Sequence, residues 1–382
     1  MPAYARRQIV DESVVGVYHC ISRCVRRAFL CGLDRFTGKN FDHRKVWIQQ
    51  RMERLAGVMA VDVLGFSVMS NHIHLLLRIR PDVSAAWSDE EVARRWCQLH
   101  PGRRDESGAS TEPDPAEIAL LLADHEALAE RRRRLSSLSH FMAALCEPIA
   151  RRANKEDKAT GRFWEGRFKS QAVLDEAALL ACSVYIDLNP IRAGLAETPE
   201  TSEFTGAYER IAARQQDMSA SLAVVPEAAV AEAPQASAAR KPAHWSIGEP
   251  ATSRTAMGDV RRADDWLSPI SNADVRPFAI EMPSPHRASQ EGFLSLALDD
   301  YLALLDWTGR QTRAGKTGVV PADLKPILER LQINAECWVD SVRGLGHRFH
   351  RAIGRASSMA ARAAGSGKRW LHGLSASRMA FS

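Results

Sequence analysis

The fold is decided by the stretch Asn71-His72-Ile73-His74-Leu75-Leu76-Leu77-Arg78. It lies within residues 61–80, a run rich in Val, Ile, Leu and Phe that predicts two adjacent strands turning near Ser70. Because side chains alternate between the two faces of a strand, His72, His74 and Arg78 share one face. The opposite face is wholly apolar, and it can pack on helices.

The two histidines can serve as metal ligands. Imidazoles one residue apart on a rigid strand project side by side, which makes a ready ligand pair. The plainer interpretation is two polar residues on a half-exposed strand, and the triplet alone favours it because short motifs match by chance. Only a third ligand and a nucleophile elsewhere in the chain would favour the metal-site interpretation.

The bulk composition is that of a soluble globular protein. The chain has 382 residues, of which 45% are hydrophobic and 25% charged, a length that predicts two domains with a sizeable core in at least one. No stretch approaches the ~20 apolar residues of a membrane span, and the N-terminus lacks the apolar core of a signal peptide. Seven scattered cysteines fit reduced thiols. These features predict a cytoplasmic protein with no membrane partner.

On either side of the hairpin the sequence predicts a further strand and several helices. A first strand is expected at 14–23, and a helix capped by Asp42 follows it. Two helices are expected at 116–134 and 135–154, and Pro148 should kink or break the second.

Residues 161–173 interleave aromatic and basic side chains, which predicts a strand. Aromatic rings can stack on unpaired bases, while Arg167 and Lys169 hold phosphates. From this segment alone, an edge strand whose aromatic side chains fill a core is an equally good interpretation.

A strongly apolar helix follows Asp175, which can cap it. Pro190 ends this helix near Asn189, because the residue before a proline is disfavoured in the helical region. Tyr185 and Asn189 are four residues apart and therefore lie on one helix face. An isolated tyrosine on such a helix is usually a core residue.

The character of the chain changes after residue 212. Residues 213–290 include an Ala-, Pro- and Glu-rich stretch and predict a largely disordered linker, although Trp245 and Trp266 hint at short docked pieces. Helical patterns resume at 291–382 and predict a small helical domain. From Ser341 onward there is no Asp or Glu, so this basic end predicts salt-sensitive binding to nucleic acid.

The strand and the helix together can build a metal-dependent nucleophilic site. His72, His74 and Asn189 would supply three ligands to a divalent ion, Mg²⁺ or Mn²⁺, with the imidazoles favouring Mn²⁺. The phenol one turn before Asn189 has a reference pKa near ~10 and is a weak nucleophile unless a metal ion and cations lower that pKa. Its attack on a phosphodiester would leave a phosphotyrosine link, whose energy is retained for rejoining the strand.

Several motifs in matching order resemble the single-tyrosine HUH transposases of the insertion-sequence and REP-associated kind. The family's His-hydrophobic-His triplet is matched by His72-Ile73-His74, and its first-strand pattern by Gly16-Val17-Tyr18-His19 with Arg23. Its aromatic-basic segment is similar to residues 163–170, FWEGRFKS, and the strongest match is residues 185–195, YIDLNPIRAGL. The resemblance covers about residues 10–212.

This resemblance implies a fold and a division of the chain. The fold would be α+β, with a ferredoxin-like antiparallel sheet, flanking helices and the histidine pair on a central strand. Residues 1–212 would form the catalytic domain, with a helical insertion at 82–134 that the family core lacks. A linker at 213–290 and a separate, small, all-helical domain at 291–382 would follow.

The resemblance also implies roles for single residues. It assigns Tyr185 as the nucleophile and Asn189 as the third metal ligand beside the histidines. Single-stranded or hairpin DNA would be the substrate, and Arg23, Arg167 and Lys169 are expected to contact its phosphates. Dimers are common in the family, so the resemblance suggests a homodimer.

Two hypotheses from other functional classes compete with a DNA strand transferase. The first is a non-catalytic DNA-binding regulator with a decayed metal site, which would bind through the basic C-terminal helices; those helices lack a clear recognition signature. The second is a metal hydrolase acting on a small molecule. The His-x-His pair lacks the His-Glu-x-x-His or Cys-x-x-Cys context expected of such an enzyme.

Overall fold

The computed structural model describes residues 8–25, 30–34, 37–102, 112–223, 261–274, 285–311 and 323–381. The strands within these ranges are β1 (Gly16–Arg23), β2 (Val61–Val68), β3 (His72–Ile79), β4 (Lys169–Val173) and β5 (Ala352–Ile353). The predicted hairpin is confirmed, because β2 and β3 pair antiparallel with Ser67 opposite His74.

One mixed sheet organises the fold, which is α+β as predicted. Its order is β2-β3-β1-β4-β5; the first three neighbouring pairs are antiparallel, and β4 and β5 are parallel. The prediction of an antiparallel sheet was therefore wrong for one edge. The expectation that residues 291–382 are all-helical was also wrong, because β5 comes from that region. The N–H of Ala172 donates to the carbonyl of Arg351 at 2.8 Å, so β5 satisfies backbone groups that the edge of β4 would otherwise expose.

The described helices fill the connections between strands and most of the C-terminal region. In chain order they are α1 (His43–Val58), α2 (Pro81–Ala86), α3 (Asp89–Leu99), α4 (Pro115–Leu122), α5 (His125–Leu135), α6 (Leu138–Asp157), α7 (Glu176–Asp187), α8 (Asn189–Arg192), α9 (Gly206–Ala223), α10 (Leu298–Gln311), α11 (Lys325–Arg330), α12 (Trp338–Arg348), α13 (Ala356–Gly365) and α14 (Leu374–Ala380). Across the described ranges, none of these helices has the length and apolar character that crossing a bilayer requires.

Helix boundaries follow the capping residues more closely than the apolar pattern. The single helix expected at 116–134 is two helices, because the Asp124 carboxylate accepts a hydrogen bond from the N–H of Ala127 at 3.0 Å and starts α5. Asp42 precedes α1 but makes no side-chain capping bond, so its predicted role as a cap was wrong. α6 continues through Pro148, so the helix does not break there, and the alternative of a kink stays a prediction.

The aromatic-basic segment is a strand only at its C-terminal end. Of the strand predicted at 161–173, only the part from Lys169 onward is β4. Phe163 is buried, and the indole N–H of Trp164 donates to the carbonyl of Cys146 at 2.8 Å. Phe163 therefore fills the core, in line with the structural interpretation of this segment.

Part of the expected linker is packed against the sheet. Trp266 is 1% exposed, and its ring centroid lies 5.0 Å from that of Phe66 on β2. The docked piece that Trp266 predicted within the linker is therefore confirmed. Residues 224–260, with Trp245, lie outside the described residues. The domain boundaries at 212 and 290 remain a prediction.

A buried ion pair joins residues 285–292 to the hairpin. Nε of Arg78 donates to the Asp62 carboxylate at 2.8 Å, and Nη2 of the same guanidinium donates to the carbonyl of Glu291 at 2.7 Å. Arg78 and Asp62 are both buried, so removing either one would leave the other charge uncompensated. Arg78 thus has a structural role, although it shares a strand face with the histidines.

Candidate active site

Three imidazoles meet on one face of the sheet. β3 carries His72 and His74, and its antiparallel neighbour β1 carries His19. Ile21 lies opposite His74, so His19, two residues earlier on β1, faces the same side. The ring centroids of His72 and His74 are 4.8 Å apart, and those of His19 and His74 are 5.1 Å apart. The sheet therefore adds a third histidine to the predicted pair.

Each of these rings is held through Nδ1. Nδ1 of His72 lies 2.6 Å from Oδ1 of Asn71, and Nδ1 of His74 lies 2.9 Å from Nε2 of His19. Nδ1 of His19 in turn lies 3.1 Å from Oε1 of Gln171 on β4. Within the described residues, Nε2 of His72 and Nε2 of His74 have no hydrogen-bond partner, so both can accept a ligand.

Burial keeps the three rings neutral. Desolvation lowers the pKa of His19 to about 4. It also lowers the pKa of His72 to about 4, with a smaller contribution from the Arg23 charge. The pKa of His74 is lowered well below its usual value, first by burial and then by the neighbouring imidazoles. Neutral imidazole is the form that binds a metal ion.

Helix α7 places Tyr185 against the imidazoles. Its ring centroid lies 5.7 Å from that of His74 and 6.0 Å from that of His19, in edge-to-face geometry in both cases. The Asp175 carboxylate starts α7 by accepting a hydrogen bond from the N–H of Ala178 at 3.0 Å. The structure therefore brings the predicted nucleophile and the predicted ligand pair together.

The environment of the Tyr185 phenol has two opposing effects on its ionisation. Burial raises the pKa of Tyr185, while the Arg192 guanidinium, 4.9 Å from the ring centroid, counteracts that rise. The side chain is 9% exposed. A Cβ added at Gly346 of α12 would lie 2.5 Å from the phenol oxygen. Helix α12 therefore lies directly over the phenol, an approach that a residue without a side chain permits.

Asn189 lies one helical turn beyond the phenol. α7 ends at Asp187 and Asn189 begins α8, with Leu188 between them in helical geometry. The Asn189 side chain is buried, and its amide nitrogen has no hydrogen-bond partner among the described residues. Buried amides are rarely left unsatisfied, and rotation of the amide would bring its oxygen to the same position. The side chain thus has unused capacity for a ligand.

The predicted phosphate-contacting residues divide into two groups. Arg23 lies opposite His72, and Lys169 lies opposite Ile21, so both share the strand face of the histidine pair. Both are exposed at the sheet. Arg167 is also exposed but precedes β4, so no strand register fixes the direction of its side chain.

The nitrogen and oxygen atoms of His72, His74 and Asn189 are of the types that bind divalent cations. Two neutral imidazole nitrogens with an amide oxygen suit Mn²⁺ better than Mg²⁺. Among the residues that the structure describes, there is no group of three or more His, Cys, Asp or Glu side chains that could hold a metal ion. A divalent ion at His72 and His74 would therefore need further ligands, and Asn189 is the one that the sequence predicts.

Several residues around Tyr185 and the histidines were not predicted from the sequence. His19 and Gln171 lie on strands whose alternation could have revealed their shared face, given the pairing of β1 with β3 and β4. Arg192 belongs to the quoted motif after Pro190, but its position over the phenol depends on the turn between α7 and α8. Gly346 carries no local signal, because its role arises from the packing of α12 on α7.

Comparisons with known proteins add one finding. No family model and no curated protein matches the chain. The chain is similar to the solved structure of a REP-associated tyrosine transposase bound to a REP hairpin, with 11% sequence identity and a TM-score of 0.29, over 64% of this chain and 100% of that chain.

Proposed function

We propose that the protein is a transposase, a metal-dependent strand transferase that cuts and rejoins single-stranded DNA through a covalent phosphotyrosine intermediate. The observation that carries this proposal is the edge-to-face contact of Tyr185 with His74, at 5.7 Å between ring centroids, beside His72. A phenol and two neutral imidazoles converge here from a helix and a strand that are far apart in the sequence. The contact places the predicted nucleophile beside both histidines of the predicted ligand pair.

The strand order supports the proposal. The succession β1-α1-β2-β3-helices-β4, with spatial order β2-β3-β1-β4 and antiparallel neighbours, is the split βαβ arrangement of a ferredoxin-like sheet. Of these four strands, β1 and β3 are the inner two, so the histidine pair lies on an inner strand of the sheet. This is the architecture that the resemblance to HUH transposases implies.

The residues divide the proposed chemistry among them. His72, His74 and Asn189 would hold a divalent ion, Mn²⁺ or Mg²⁺, which when bound polarises the phosphate and neutralises developing charge. The Tyr185 oxygen loses its proton to water and attacks phosphorus; a new phosphorus–oxygen bond forms, and the bond to the leaving deoxyribose oxygen breaks as that oxygen takes up a proton. Because one phosphodiester replaces another, the reverse attack rejoins the strand without ATP.

The electrostatics of the face suit a polyanionic substrate. Arg192 lies over the phenol and favours its ionised form. Arg23 and Lys169 are exposed on the same strand face and can hold the phosphates that flank the cut. Single-stranded or hairpin DNA is the substrate class we propose, as the resemblance to HUH transposases implies.

Covalent trapping tests the proposal directly. The full chain is incubated with Mn²⁺ and end-labelled hairpin oligonucleotides taken from the DNA that flanks its own gene, and the products are separated on a denaturing gel. We expect a labelled protein band that both EDTA and Tyr185→Phe abolish. Tyr208→Phe is the matched control, because Tyr208 on α9 is half-buried and lies outside the site; this variant should retain the band.

The competing hypothesis predicts a different result. A non-catalytic DNA-binding regulator is favoured by the absence of acidic residues from Ser341 onward. It would give no labelled band with any oligonucleotide, while filter binding would survive EDTA and weaken steeply with added salt. That pair of results would contradict the strand-transferase proposal.

A further inference from the structure

A line of hydrogen bonds connects the C-terminal region to the proposed metal ligand His74. The Gln171 side-chain nitrogen donates to the carbonyl of Phe349, with 2.5 Å between the two atoms. Oε1 of Gln171 lies 3.1 Å from Nδ1 of His19, and Nε2 of His19 lies 2.9 Å from Nδ1 of His74. Gln171, His19 and His74 come from β4, β1 and β3, which are adjacent in the sheet.

The chemistry of each group fixes the direction of every bond in this line. A main-chain carbonyl can only accept, so the amide nitrogen of Gln171 must face Phe349 and its oxygen must face His19. That oxygen also only accepts, so Nδ1 of His19 carries the hydrogen. A neutral His19 then has its lone pair on Nε2, and Nδ1 of His74 must donate to it. A neutral His74 consequently keeps its free lone pair on Nε2.

We propose that His19 and Gln171 are positioning residues that hold His74 in the Nδ1–H tautomer and present its Nε2 to the metal ion. This inference rests on the proposed function, in which His74 is a metal ligand. Partners that fix the tautomer and orientation of a ligating imidazole also raise its basicity. A single hydrogen bond holds His72 in a similar way, because Nδ1 of His72 lies 2.6 Å from Oδ1 of Asn71.

The burial of the line distinguishes it from a set of surface contacts. His19 is 0% exposed, His74 3% and Gln171 8%. At this burial an unsatisfied polar atom is costly, so the three side chains are locked in a single arrangement. Removing the acceptor atom of His19 would free His74 to turn or to move its hydrogen to Nε2, the nitrogen that the metal ion requires.

The tautomer of His74 can be read in the full-length protein before any metal is added. Protein carrying ¹⁵N-labelled histidine is examined by NMR through the long-range couplings between ring hydrogens and ring nitrogens, and the His74 signals are assigned with His74→Gln. We expect the Nδ1–H form of His74 and the Nδ1–H form of His19. An Nε2–H tautomer at His74 overturns the proposal without the need for any further variant.

The second measurement is the affinity for Mn²⁺ alone, followed by electron paramagnetic resonance. His19→Phe keeps a ring but removes the acceptor, and we expect it to weaken Mn²⁺ binding by about 10- to 100-fold. His19→Gln places an amide oxygen near the position of Nε2 and should restore most of the affinity. Tyr18→Phe on the same strand is the control for a lost polar group at a buried position, and it should bind Mn²⁺ as the unaltered protein does.

These outcomes separate the inference from the function on which it rests. Unchanged Mn²⁺ affinity in a folded His19→Phe overturns the positioning role. Absence of Mn²⁺ binding by the unaltered protein contradicts the proposed metal-dependent function, whereas the tautomer measurement still decides whether the line of hydrogen bonds exists. If His19→Phe does not fold, Gln171→Leu, which breaks the same line one step earlier, should lower Mn²⁺ affinity, and unchanged affinity there overturns the proposal.

Discussion

The pair His72 and His74 and the pair His100 and His140 have similar spacing and different surroundings. The rings of His72 and His74 are 4.8 Å apart, and those of His100 and His140 are 5.5 Å apart. In the second pair the two Nε2 atoms face each other at 3.3 Å, and the His140 ring stacks on Trp96.

The difference lies in what the rest of the fold supplies. The first pair has a phenol against it, a third buried imidazole and a line of hydrogen bonds that leaves Nε2 free. In the second pair each Nε2 faces the other, so neither nitrogen is directed at a common third position. Burial lowers the pKa of both His100 and His140, as it does in the first pair. Two neutral, neighbouring imidazoles are therefore not sufficient to form a metal site. The direction of their ring-nitrogen lone pairs decides whether the pair can bind a metal ion.

The largest effect should come from removing one histidine of each pair. His74→Ala should slow formation of the covalent DNA complex by at least about 100-fold, because losing a metal ligand forfeits several kcal/mol of transition-state stabilisation, at about 1.4 kcal/mol for each tenfold in rate. His140→Ala should leave the rate unchanged. The rates are measured with labelled hairpin DNA and Mn²⁺, and equal losses in both variants would remove the distinction between the pairs.

A smaller effect should follow from disturbing the packing around the phenol. Gly346→Ala would place a methyl group 2.5 Å from the Tyr185 oxygen, and overpacking of this kind costs about 1–3 kcal/mol in the free energy of unfolding. Gly365→Ala on α13 is the matched control, because a Cβ there meets no atom within 4 Å. Urea unfolding of both variants gives the comparison. Equal stability of the two would mean that α12 does not lie against the phenol.

The smallest effect concerns pH. The pKa of His19 and that of His72 are about 4 in the folded protein and near ~6.5 in the unfolded chain. Between these values the unfolded chain binds more protons, so the contribution to stability is complete above about pH 6.5 and is lost as the pH falls toward about 4. The shift at His74 has the same sign.

Urea midpoints at about pH 7 and about pH 5 test this dependence. His19→Gln cannot titrate and should reduce the loss of stability at the lower pH. His140→Gln should reduce it less, because His140 is only half-buried. A larger reduction in His140→Gln would contradict the contrast between the two pairs.

Local chemistry determined a large part of this protein. Alternation along residues 61–80 predicted the hairpin and the shared face of His72 and His74, because strand geometry leaves a side chain only two directions. Asp175 predicted the start of the apolar helix, and four-residue spacing placed Tyr185 and Asn189 one turn apart. α7 ends close to the predicted place, but Pro190 does not stop the chain from being helical, because Asn189 and Pro190 both lie in α8. These features depend on neighbouring residues alone, and for that reason a single sequence reveals them.

Tertiary structure decided what surrounds those features. β5 joins the sheet because the edge of β4 offers unpaired backbone groups, and no pattern in residues 352–353 shows this. His19 becomes a partner of His74 only through the register of β1 against β3, and Gly346 reaches the phenol only through the packing of α12 on α7. Contacts between residues far apart in the chain depend on how whole elements pack, and a local pattern does not encode that packing.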